Sequence, residues 1–476
     1  MPNPNSHRTL RVLALVGGLI GIGLLGTVWL VLTDDAVDSA ATPSQTTAGQ
    51  STTSSSESTT VLSPATGSAT TTTATAPDES EETEVDASVV TGAGVEADFY
   101  VAPIARGTGS GLSAADAADI GDLNQLIADA QPDDVIELVT DAGDYLVLQP
   151  INVSAGGTSE HPVTIRGPTG GPRPEFVGKR SNPYDLAGPA GNPLFRLGSG
   201  ADHLVFANLN CSQVGNGCFY IAAPISNLTI ANINATNVRR FFENAAGGGQ
   251  TDATISGLSI SNVEVAGFSK GAIRLAYDTH DVRITDVIGD SQQQDGDNFA
   301  IGVHLGDTVH DVVIERVTMD NARDTLHEYW NGDGFVAEAG VYDLQLIETS
   351  ASGNTDAGYD IKASNVQLVN TTAHDNKRNY RLSGSSIVLE ACLGTMPNLR
   401  GGTGTQAQVQ VFEDADAELV GCTFIDTDAD SIVFDVDEEA RLVVRDARVE
   451  RSGASLLSTV EPTASIELLQ VQETIS

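Results

Sequence analysis

The sequence predicts an all-β fold, a right-handed single-stranded parallel β-helix (a solenoid) with an N-terminal capping helix, preceded by a transmembrane helix and a disordered linker. Three observations predict it. A short strand pattern recurs about ten times after residue 200, Gly is abundant at 48 while aromatics are only 5% of the chain, and the first hundred residues lack a globular pattern.

The recurring pattern is an apolar–x–apolar pair, a polar turn residue and a further small or apolar residue. It appears as LTIANIN (228–234), LSISNVE (258–264), VRITDVI (282–288), VVIERVT (312–318), LQLIETS (344–350) and VQLVNTT (366–372). Its fifth position is Asn232, Asn262, Asp286, Arg316, Glu348 and Asn370, at steps of 30, 24, 30, 32 and 22 residues. Each unit holds a second short strand, such as DGFVAE, GYDIKA or NYRLSG. A β-sandwich also gives many short strands, but not one register recurring through the chain. Cys392 and Cys422 occupy equivalent positions in consecutive units, so they should touch in the core; buried thiols are favoured there, and the spacing permits a disulfide. Cys211 and Cys218 are close enough to pair. Ahead of the repeats, a strand and a short helix near 113–130 fit a cap over the open end of the solenoid.

The N-terminal part reads differently. Val12 to Leu32 is uncharged, and its 21 residues span roughly 32 Å as a helix, enough to cross a bilayer. Arg8 and Arg11 precede it and Asp34, Asp35 and Asp38 follow, so the chain beyond should face outward. An uncleaved anchor is favoured over a cleaved signal peptide. The Ser/Thr-rich segment that follows cannot bury enough apolar surface to fold. The expected divisions are 1–33, cytoplasmic tip and anchor; 34–85, disordered stalk; and 86–476, β-helix. The expected location is the cell membrane, single-pass, with the C-terminal domain extracellular.

A formal net charge of -40 argues against nucleic acid as a partner, because phosphate binding needs clustered Lys and Arg. The lysines are only Lys179, Lys270, Lys362 and Lys377. An acidic, lysine-poor surface fits either salt adaptation or simple solubility.

Functional side chains concentrate between Asp297 and Arg381. Aligning the second strands places Phe335, Tyr359 and Tyr380 in one column and Val336, Asp360 and Arg381 in the next. Glu338, Lys362 and Ser383 come two places on, with Asp297 and Asp333 equivalent ahead of the aromatic. Converging carboxylates call for a cation, and all-oxygen ligands suit Ca²⁺. The competing view is that Asp and Asn simply populate turns. His304, His327, Glu328, Tyr329 and Trp330 lie beside this face; Tyr329 and Trp330 suit stacking on sugar rings, or else local packing.

Asn331-Gly-Asp-Gly-Phe335 followed by Asn354-Thr-Asp-Ala-Gly-Tyr-Asp360 resembles the N-x-D-G-F and N-S-D-D-G-W-D motifs of the calcium-dependent pectate lyases of polysaccharide lyase family nine. The resemblance implies a right-handed parallel β-helix, an acidic polysaccharide as partner and Ca²⁺ as cofactor. It makes Asp333, Asp356 and Asp360 calcium ligands, with Asp297 joined to them by the alignment. Asn379-Tyr-Arg-Leu-Ser-Gly384 resembles the family's G-F-K-L-G-G, whose lysine is the catalytic base. Ala357 replaces one paired aspartate, and Arg381 stands in the lysine's place. The implied reaction is β-elimination on a uronate. Arginine is a poor base, so Lys362 and Lys377 are alternatives to Arg381. Arg378, His327, Tyr329, Trp330 and Glu338 are the expected substrate contacts. The alternative function is a non-catalytic glycan-binding or cell-envelope β-helix protein; a hydrolase or C5-epimerase on this scaffold is a third.

Overall fold

A strand turns a corner sharply when one residue adopts left-handed backbone geometry, and Asn and Asp tolerate that geometry best among residues with a Cβ. The sequence supplies such residues at a fixed place in every repeat. In the computed structural model, which describes residues 95–476, Asn208, Asn232, Asn262, Asp286, Arg316, Glu348 and Asn370 all have φ between 52° and 57°. The recurring polar residue is thus a corner. Asn232 donates to Asn208 one coil below at 3.1 Å. Arg316, a costlier left-handed residue, is held by two hydrogen bonds to Asp286 of the preceding coil, at 2.7 and 3.0 Å.

Between corners run short strands, 33 of them among the described residues, joined in parallel pairs to the coil before and after. The register is continuous. Leu204, Leu228, Leu258, Val282, Val312, Leu344, Val366, Ile387, Ala417, Leu442 and Ile466 form one inward file. All but Ile466 are buried. The chain is a parallel β-helix.

The expected helix near 113–130 is shorter: 3-10 turns at Ala114–Asp116 and Ile120–Asp122, then a helix at Leu123–Asp129. Leu123 and Ile127 insert into the core. No described helix is long and apolar enough to cross a membrane; the expected span at 12–32 and the stalk lie outside the described residues.

Cys392 and Cys422 do meet inside the core, with Cα atoms 4.5 Å apart, but as a disulfide rather than as the favoured thiols. Cys211 and Cys218 form the second disulfide. Phe335, Tyr359 and Tyr380 stack inward, with ring centroids 5.0 and 5.1 Å apart. Their buried phenols need partners. Thr349 and Thr371, placed just after the corners at Glu348 and Asn370, supply hydroxyls at 3.0 and 3.2 Å.

The corner account predicts a contrast at the exposed Asn262. Asn262→Val should cost about 1–2 kcal/mol, the penalty of a left-handed β-branched residue, and Asn262→Gly should cost far less. Urea midpoints of the two variants check this; equal losses would contradict it.

Candidate functional site

Stacking in register sets the outward columns as firmly as the core. Behind the aromatic file, Glu243, Arg274, His304, Val336, Asp360, Arg381, Gln410 and Asp435 follow one another on successive coils. Neighbouring coils lie about 4.8 Å apart, so charged side chains in such a column interact directly. The expected columns through Phe335 and through Val336 are those of the structure.

One placement differs from the sequence alignment. Asp297 is not equivalent to Asp333, whose partner on the preceding coil is Ile301. The loops before these two strands differ in conformation, and Asp297 turns instead to Arg239, at 2.9 Å, and Ser269, at 2.5 Å. It therefore stands in a separate ion-pair cluster. Asp333 stands ahead of the aromatic column, two residues before Phe335, as the alignment places it. Its column continues through Ala357, Arg378 and Ala407. Its Oδ1 accepts the Ala357 N–H at 2.7 Å. Burial above all, then Asp356 and Asp360, push its carboxyl well above the usual carboxylate range.

The remaining carboxylates are met by cations of the chain itself. Asp356 Oδ1 lies 2.7 Å from both Lys377 Nζ and Arg378 Nη1. Its Oδ2 accepts from the Tyr329 hydroxyl at 2.8 Å. Lys377, with a side chain 0% exposed, also sits 4.4 Å over the Tyr329 ring and donates to the Thr403 carbonyl. Asp360 Oδ2 accepts from Arg381 at 3.0 Å and lies 3.4 Å from Lys362. Lys362 bonds Glu338 at 2.9 Å, whose other oxygen lies 3.6 Å from His304 Nε2. Arg381 also stacks on Phe412 at 4.3 Å. Four carboxylates (Asp333, Asp356, Asp360, Glu338) thus face four cations (Lys362, Lys377, Arg378, Arg381).

These contacts fix the chemistry available. Burial would lower Arg381, but Asp360 and Asp356 outweigh it and hold it above its ordinary value. Lys362 is likewise raised by Asp360 and Glu338 against its burial. Lys377 is lowered, by burial, yet its ammonium is enclosed. His304 is lowered, chiefly by burial, and so favours the neutral, proton-accepting form. Glu338 is held down to about 2: burial opposes this, but His304 and Lys362 prevail.

The residues do not fit a calcium ion at the position the resemblance implies. Ca²⁺ takes six to eight oxygens at about 2.3–2.6 Å. Asp356 has both oxygens engaged, one of them by two cations, and Asp333 Oδ1 is taken by the Ala357 N–H. Asp360 keeps one buried oxygen without a partner. Among the described residues, the group of three or more acidic or His side chains close enough for a metal lies elsewhere, at Asp278, His280 and His310.

The loop residues divide. Tyr329 joins the site through Asp356 and Arg378. Trp330 packs against Gly401 and Gly402, and a side chain at Gly401 would collide with its ring. His327 leans on the buried Asp324 at 2.5 Å. Sequence reasoning did not foresee the buried amide ladder beneath the site: Asn354 donates to Asn376 at 2.9 Å, Asn376 to Asn379 at 3.1 Å, and Asn379 to Gln408 at 2.8 Å. Asn354 and Asn376, each just ahead of a second strand on consecutive coils, are the signal that marks it, while Asn379 and Gln408 lie within the strands.

The sequence matches no known protein family and no curated protein. Solved structures with a similar chain course include pectate lyase Pel9A, at 14% identity over 78% of this chain and 79% of that one, with a TM-score of 0.47. The periplasmic alginate epimerase AlgG shows 9% identity over 72% and 77%, at 0.40. An alginate lyase from Paenibacillus sp. str. FPU-7 shows 13% over 74% and 96%, at 0.35. Likenesses at this level carry no argument about the chemistry of this chain.

Asp333 gives a pH test. A carboxyl whose pKa is raised by folding contributes stability below its unfolded value, near 3.9, and loses it as pH rises through the folded value. Asn mimics the protonated form at every pH. The melting temperature of Asp333→Asn should therefore gain on that of the wild type as the pH rises from about 4, the unfolded value, into the alkaline range. A constant deficit across that range would contradict the assignment.

Proposed function

We propose that this protein engages a uronate-containing polysaccharide across the outward column from Arg274 to Arg381, and acts on it by β-elimination without a bound metal. The observation that carries this reading is the pair Lys362 and Arg381. Both are fixed on Asp360, Lys362 from its own coil and Arg381 from the next, and their side chains remain 28% and 24% exposed. Two anchored cations about 5 Å apart offer a uronate carboxylate the charge neutralisation that calcium supplies in the family the sequence resembles.

In this scheme Lys362 and Arg381 hold the carboxylate. His304, neutral and linked to Lys362 through Glu338, takes the C5 proton, and the electron pair left behind forms the C4–C5 double bond as the C4–O bond breaks. The departing sugar oxygen takes up a proton from water, and His304 returns its own to solvent, which restores the neutral base. Lys377 serves Asp356 and not the substrate. Calcium remains the finer reading of the resemblance, and to bind at Asp356 it would have to displace Lys377 or Arg378.

A second reading, glycan binding without turnover, also has an observation behind it. None of the three bases the sequence offers is free to act: Arg381 and Lys362 are held charged, and Lys377 is enclosed. The segment 12–32, as an anchor, and 34–85, as a stalk, would present the domain of 86–476 outside the cell, where such polysaccharides lie. The helix at Leu123–Asp129 would cap the first coil.

Incubation with pectate and alginate, with EDTA or with Ca²⁺, tests both readings. The elimination reading expects ultraviolet absorbance of an unsaturated uronate that survives EDTA. His304→Ala should lower the rate at least ~100-fold, the usual contribution of a general base, while Arg381→Ala weakens binding. Absorbance that requires Ca²⁺ would overturn the metal-free scheme. Binding without absorbance would establish the second reading.

A further inference from the structure

We propose that Asp278, His280 and His310 form a binding site for a transition-metal dication of the zinc class, clamping two consecutive coils. The sequence repeats His-Asp-Val at 280–282 and 310–312, a step of 30 residues that equals the step between the corners Asp286 and Arg316. Parallel pairing therefore sets His280 directly against His310. Their rings stack 5.0 Å apart, and His310 stacks in turn on Tyr342 at 4.7 Å.

The hydrogen bonds fix which nitrogen is available. His280 Nδ1 lies 2.7 Å from the Asp278 carbonyl oxygen, which can only accept, so Nδ1 carries the proton. His310 Nδ1 lies 2.7 Å from the Asp311 carboxylate and is protonated for the same reason. In its neutral form each imidazole then has its lone pair on Nε2. A carboxylate or carbonyl behind the metal-facing imidazole is the usual support of histidine metal sites.

Those nitrogens meet carboxylates. His310 Nε2 lies 3.7 Å from Asp278 Oδ1, which Thr308 Oγ1 holds at 3.0 Å. One ligand atom from each of Asp278, His280 and His310 lies within 4.8 Å of the others. Asp281 Oδ2, 3.9 Å from His280 Nε2, can supply a fourth. Tetrahedral zinc with ligands at about 2.0–2.2 Å needs donors about 3.4 Å apart. Closing the set takes a turn of the two imidazoles out of their parallel stack, so that both Nε2 lone pairs converge, together with shifts of the exposed Asp278 and Asp281. Two imidazoles favour zinc, nickel or copper over calcium or magnesium. The site lies on different strands from the candidate active face and does not depend on the function proposed there.

Calorimetric titration of ZnCl₂ and of CaCl₂ into the full-length protein, with melting curves under both, tests the proposal. It expects one zinc ion per chain and a melting temperature raised by zinc but not by calcium. Asp278→Asn, His280→Gln and His310→Ala should each weaken zinc binding by ~10-fold or more, while His161→Ala leaves it unchanged. Should His310→Ala fail to fold through loss of its stack on Tyr342, the exposed Asp278→Asn and His280→Gln decide. Absent zinc binding, equal response to zinc and calcium, or affinity untouched in these variants would overturn it.

Discussion

The structure depends on parallel stacking held in one register, and that register depends on single left-handed residues at the corners. Because each corner residue sits over its equivalent in the next coil, every inward and outward position forms a column. A slip of one residue would turn a strand's apolar set outward. The penalty of left-handed geometry is small at Asn232 or Asn262. At Arg316 it is offset by the paired hydrogen bonds to Asp286. Hydrophobic burial then fills the interior the corners define, with threonine hydroxyls and the Asn–Gln ladder satisfying the polar groups enclosed with it.

The same columns impose the electrostatics of the candidate site. Carboxylates brought to successive coils repel unless something positive lies among them. Here the chain supplies it. Lys377 and Arg378 converge on Asp356, and Lys362 and Arg381 on Asp360. A buried ion pair of this kind is costly to break on one side only, because the remaining charge is left without compensation. The cluster is therefore internally balanced, and its exposed margin holds Lys362 and Arg381 together with Glu338. The proposed carboxylate-bearing ligand would meet the two cations there, on a chain with a formal net charge of -40.

Much of this was legible before any coordinates. The recurring apolar–x–apolar–polar pattern identifies the coils, and the alignment through Phe335, Tyr359 and Tyr380 places Asp360 beside Arg381, because periodic side chains determine register. Asp297 was misplaced because it lies in a loop between strands, where motif alignment has no period to follow. The burial of Lys377 could not be read from sequence. Its direction follows the corner at Asp375, with φ of 58°, and the cover given by Tyr329 and Thr403 from distant turns. The pairing of Cys392 with Cys422 was a matter of chemistry, not position: the register placed them together, and their oxidation state is not written in spacing.

The central claim is that the outward face holding Lys362 and Arg381 is a carboxylate-binding face neutralised by the protein itself. A crystal structure of the protein with an oligouronate, grown in EDTA, tests it most directly. The account predicts a sugar carboxylate against Lys362 and Arg381, with Lys377 still on Asp356. An oligosaccharide seated elsewhere, or one ordered only when calcium displaces Lys377, would contradict it.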